Sequence, residues 1–144
     1  MRSIRRILVV AGATLALSLF VPAVAASSPI NHIVMTKVCG PADLAVCTVT
    51  ETSDPGVIPL ETYGVWTGPR FDPHLSSNVT IFAPDGGTAT GHCSLSWTKG
   101  LGLCIFGGGT GSLAGFHANL HATLVAFDDT TLTFTWDGTY HFDR

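Results

Sequence analysis

Glutamine is absent from the 144-residue sequence, and glutamate and lysine occur only twice each, at Glu51, Glu61, Lys37 and Lys99. These are the side chains that favour exposed helix surfaces, so their scarcity argues against a helical protein. Cations are few as well. Once an N-terminal leader is removed, Lys37, Arg70, Lys99 and Arg144 stand against ten Asp and Glu, a net charge of −6. Four scattered cations cannot make the basic patch that nucleic acid or an anionic membrane surface requires, so neither is an expected partner. There is no Cys-x-x-Cys pair and no Gly-x-Ser-x-Gly elbow, which removes the usual thiolate metal site and the usual serine hydrolase.

What is present begins with that leader. Met1-Arg2-Ser3-Ile4-Arg5-Arg6 is cationic, Ile7 to Val21 is largely apolar, and Pro22-Ala23-Val24-Ala25-Ala26 ends in small residues. This is the tripartite pattern of a secretory signal, with cleavage after Ala25 or Ala26 equally compatible. An apolar run of 15 residues falls short of the roughly 20 that span a bilayer, and no cysteine at the cleavage point invites a lipid. The expectation is a secreted, extracellular product with residues 1–26 removed and no stable membrane anchor. Arg5-Arg6 leaves twin-arginine export open beside general secretion, which is favoured. Residues 27–144 then form one domain, long enough to close its own core.

All four cysteines, Cys39, Cys47, Cys93 and Cys104, lie in that domain, and in an exported chain an even count reads as two disulfides. Short alternating runs on either side of Thr98-Lys99-Gly100 fold into a hairpin that sets Cys93 opposite Cys104. Cys39 is left to pair with Cys47 around Gly40-Pro41-Ala42-Asp43.

The domain carries seventeen threonines, and its apolar and polar residues alternate in segments bounded by turn chemistry. Eight strands are expected, at 32–38, 45–52, 59–67, 77–82, 88–97, 101–106, 116–127 and 130–142. The connections include Asp54-Pro55-Gly56, Pro84-Asp85-Gly86-Gly87 and Asp128-Asp129, mostly short enough for neighbouring antiparallel strands. An open eight-stranded sheet would expose two edges and one apolar face. The expected fold is all-β, with a small closed antiparallel barrel of about eight strands favoured over a sandwich.

Gly107 to Phe116, with the sequence GGGTGSLAGF, is the densest glycine segment in the chain. A phosphate-binding loop would need a helix after it, whereas residues 116–127 alternate like a strand. Gly108 to Gly115 resembles the Gly-Gly-(Thr/Ser)-Gly-x-(Phe/Leu)-x-Gly segment of the allene oxide cyclase and dirigent barrels, with Leu113 at the aromatic position. Thr135 to Phe142 is similar to the closing strand of secreted bacterial proteins of that barrel type. The resemblance covers about residues 60 to 144. It implies an eight-stranded antiparallel barrel with an apolar cavity, of the kind in which the family orients reactive intermediates for cyclisation or coupling. It carries over no catalytic carboxylate or tyrosine residue by residue, so the catalytic residues are unknown.

Tyr63-Gly64-Val65-Trp66 contains the Gly-x-Trp of lipocalins, but only 78 residues follow Trp66, too few for the rest of that barrel. Trp66 is instead read as a core or end-plug aromatic. Candidate ligand-binding residues are His117, Asn119, His121, Trp66, Trp136 and Tyr140. His117, Asn119 and His121 alternate along one strand opposite Phe116, Ala118, Leu120, Ala122 and Leu124, so either stripe could line the barrel. Solvated histidines are the favoured reading, with histidines inside a hydrated cavity as the sharper alternative. Asp128, Asp129 and Asp137 are read as turn or bulge formers.

No cofactor and no metal are expected. Four residues of extended strand separate His117 from His121 by about 13 Å, too far for one ion. Function is expected to be the binding of an apolar small molecule in the cavity, or of a partner at the rim. A cyclase or isomerase acting on a reactive apolar intermediate is the alternative. Oligomeric state is left open.

Overall fold

The computed structural model describes residues 28–41, 43–68 and 73–143. The expected leader, residues 1 to 26, lies outside the described residues. Eight strands follow in order: β1 (Asn31–Cys39), β2 (Val46–Thr52), β3 (Tyr63–Thr67), β4 (His74–Phe82), β5 (Thr88–Ser96), β6 (Leu101–Thr110), β7 (Phe116–Phe127) and β8 (Leu132–Phe142). Each pairs antiparallel with its sequence neighbour, and β1 pairs with β8, so the sheet closes into a barrel with no free edge. Ladder irregularities at Thr36/Lys37, Ala89/Gly91 and Leu124/Ala126 add local twist, which a closed sheet of this small size requires.

Alternation decides what fills the barrel. On β4, Leu75, Ser77, Val79 and Ile81 are buried while His74, Ser76 and Asn78 face water. On β7, Phe116, Ala118, Leu120 and Ala122 are buried. The core is one cluster, with Phe106 packed between Phe116 and Trp136 at ring separations of 6.3 and 5.6 Å. A buried phenylalanine contributes about 1.5–3 kcal/mol through the area it removes from water.

Both expected disulfides are present, Cys39–Cys47 and Cys93–Cys104, each joining residues directly opposite in adjacent strands. The strand bounds differ from expectation by three residues or more in three places. Residues 59–62 form a turn rather than the start of β3, because Pro59 lacks an N–H and Glu61 adopts a positive φ of 67°. Strand β4 begins at His74 instead of residue 77. Strand β6 runs on through Gly107, Gly108 and Gly109 to Thr110, and only then does a single 3-10 turn, Gly111–Leu113, lead into β7. A fourth difference concerns Asp137, which lies within β8 opposite Val34 and His121 and forms no turn.

The two ends are unlike. At one, residues 53–62 fold beneath the barrel and bury Ile58, while Leu113 of the 3-10 turn plugs the same end. Tyr140 Oη donates to Asp54 Oδ2 and ties this segment to β8. That bond and burial push the tyrosine up to about 12. The other end, where the hairpins β1–β2, β5–β6 and β7–β8 turn, is open.

Candidate functional site

At the open end the barrel encloses a cavity of about 750 Å³, within the 300–1,000 Å³ range typical of small-molecule sites. All three tryptophans of the chain line it, Trp66, Trp97 and Trp136, together with Phe134 and Phe127. Trp66 meets Trp136 edge to face at 6.2 Å, and Trp97 leans on Phe134 at 6.4 Å. The Trp66 indole N–H donates to the Cys47 sulfur at 3.1 Å, so the Cys39–Cys47 disulfide helps to hold the ring. Asp43 and Ser94 are polar residues on an otherwise apolar lining.

Behind the tryptophans lies Lys37, which is buried to 3 % exposure. It occupies the inward phase of β1 with Ile33, Met35 and Cys39. Its Nζ sits 3.4 Å from the centre of the Trp136 ring, 4.3 Å from Trp66 and 5.6 Å from Phe134. No hydrogen-bond acceptor reaches it among the described residues. Ring faces return about 2 kcal/mol each to a desolvated cation. Removing an ammonium from water leaves a penalty of several kcal/mol even after relaxation, and no carboxylate among the described residues offsets it. Burial therefore holds the amine well below the ordinary lysine range.

The sequence candidates divide between the two surfaces of the barrel. Trp136 and Tyr140 point inward and are buried, and Trp66 is half-buried at the open end. Trp66 and Trp136 line the open cavity, whereas Tyr140 belongs to the closed end, where it packs on Phe116 at 6.0 Å. His117, Asn119 and His121 lie on the outer face, the last two exposed and His117 half-exposed. The apolar stripe of β7 fills the barrel, so these histidines do not line the cavity. Asp128 is a turn former as expected. Its carboxylate accepts from the backbone N–H and hydroxyl groups of Thr130 and Thr131, which lower it to about 2.

No protein-family model matches the chain, and no curated protein matches it.

Lys37 is the residue that a reading of the sequence passes over. The signal was its phase. In Ile33-Val34-Met35-Thr36-Lys37-Val38-Cys39 the lysine takes the place of an inward apolar residue. Alternation alone marks it as buried once Ile33, Met35 and Cys39 are assigned to the core.

Proposed function

We propose that the protein is an exported binding module that holds an apolar small molecule in its open-end cavity. The observation that carries this reading is the cavity itself, built from three tryptophans and two phenylalanines with few polar groups around them. An interior of that composition favours flat or flexible hydrocarbon skeletons over sugars and phosphates, whose desolvated polar groups would find too few partners. Export is supported by the signal-like leader of the sequence and by two disulfides, which fit an oxidising compartment. The mature net charge of −6 speaks against nucleic acid as a partner.

Because every tryptophan borders the cavity, intrinsic fluorescence reports occupancy directly. A panel of terpenoids, polyketides and fatty acids should include at least one ligand giving saturable quenching, while sugar phosphates leave the signal unchanged. Silence across the apolar panel, in protein shown to be folded, would sink the proposal.

The cyclase or isomerase reading keeps one specific support. Burial favours the neutral form of the Lys37 amine, which is a nucleophile and a base, and Lys37 lies one aromatic layer beneath the cavity. On that reading Lys37→Met would abolish turnover while quenching by ligand persisted, and Trp66 would have to swing aside to admit substrate.

A further inference from the structure

On the outer wall, away from the cavity, strands β7 and β8 bring three metal-ligating side chains together. His117 and His141 are directly opposite in the ladder, and their rings lie parallel, 8° apart in plane with centroids at 5.0 Å. Asp143 follows β8. Its Oδ2 lies 2.7 Å from His117 Nε2 and its Oδ1 lies 3.8 Å from His141 Nε2. One ligand atom from each residue falls within 4.8 Å of the others.

We propose that His117, His141 and Asp143 form a site for one first-row transition-metal dication, Zn²⁺ or Cu²⁺. Metal bonds of 2.0–2.2 Å in tetrahedral geometry set ligand atoms roughly 3.3 Å apart. The contacts of 2.7 and 3.8 Å, made by the two carboxylate oxygens, lie on either side of that spacing, and one ligand atom from each residue is within 4.8 Å of the others, so side-chain rotation is what closing the site requires. Two imidazoles and a carboxylate suit zinc and copper, whereas calcium and magnesium prefer oxygen donors throughout. Three protein ligands leave at least one coordination position to water or an exchangeable group, as in sites that present a metal rather than use it as a structural staple.

The carboxylate is placed by the fold. The Asp143 N–H donates to the Gly115 carbonyl at 2.8 Å. Gly115 has a positive φ of 74°, and a Cβ there would stand 3.2 Å from the Asp143 nitrogen and 3.3 Å from its Cβ. The last glycine of the glycine-rich segment thus lets the end of β8 lie against the turn that opens β7. That role depends on nothing inside the barrel, so the metal site and the apolar cavity stand or fall separately. His117 has no ligating partner along its own strand. Its partner lies across the ladder, where facing residues are close enough for both rings to reach one ion.

The test is calorimetric titration of Zn²⁺, and separately Cu²⁺, into untagged, chelator-stripped protein. One equivalent per chain is expected. Affinity should fall at least tenfold in His117→Ala, in His141→Ala and in Asp143→Asn, and stay within twofold of wild type in His121→Ala. All four side chains are on the outer surface, and near-ultraviolet circular dichroism checks that each variant keeps the fold. Zinc should also shift the ring-proton resonances of His117 and His141 and leave those of His121 in place. Absence of binding at millimolar metal would overturn the site. So would equal affinity in wild type, His117→Ala and His141→Ala, or a loss in His121→Ala as large as in the other two.

Discussion

The closed and open ends of the barrel solve opposite problems with the same strands. At the closed end Ile58, Leu113 and Phe116 are each 1 % exposed or less, and the Tyr140–Asp54 bond locks the segment beneath them. At the open end Trp66 and Trp97 are only half-buried and Phe127 is 68 % exposed. Packing therefore stabilises one end while the other keeps an unfilled interior, and the difference shows where a small barrel can accommodate a cavity. Both disulfides compensate on the weaker side, since Cys39 and Cys104 line the cavity wall.

The sharpest way to break the contrast is to truncate one aromatic from each end. Phe116→Ala should cost about 3–5 kcal/mol, the range for a fully buried phenylalanine. Trp97→Ala should cost about 1 kcal/mol, typical of a partly exposed side chain, yet weaken ligand quenching the most. Urea denaturation measures both, and equal costs would show that the ends do not differ in packing.

Removal of the Cys93–Cys104 bridge comes next. A closed loop of this length is worth about 2–4 kcal/mol. Because this bridge lies on the cavity side, the Cys93→Ala/Cys104→Ala protein should lose ligand affinity under conditions where its far-ultraviolet dichroism is still native. Coincident loss of binding and of secondary structure would mean that the barrel behaves as one cooperative unit.

Lys37 comes last, and the sign of its effect should be opposite. Burying a polar group without a hydrogen bond costs about 1–3 kcal/mol, so Lys37→Met should stabilise the fold by that order. The pH dependence follows from the lowered lysine. Between its folded value and the ordinary 10.5, the unfolded chain carries a proton that the native chain does not, so wild-type stability rises with pH. Measured from pH 7 to 9.5, below the range in which Tyr140 titrates, that slope should be present in wild type and absent in Lys37→Met. A flat wild-type profile would mean that the ammonium stays charged over the rings.

The sequence by itself determined the strand count, the closure and both disulfides. Each of these depends on local periodicity, turn residues and the need of an apolar face to find cover. Cys93 and Cys104 flank a short turn, so chain geometry brings them together without further information. Trp66 was legible as a core or end-plug aromatic and Trp136 as a candidate for the cavity. Alternation on β7, however, showed two stripes and not which of them faced in. The direction of curvature is a property of the whole closed sheet, and it put Phe116 inside and His117, Asn119 and His121 outside. Lys37 had its phase written in β1, but the three rings around its amine come from β3 and β8, distant in the chain. The meeting of His117 with His141 and Asp143 was likewise decided by the register between β7 and β8, because a ladder brings together residues that linear spacing holds far apart.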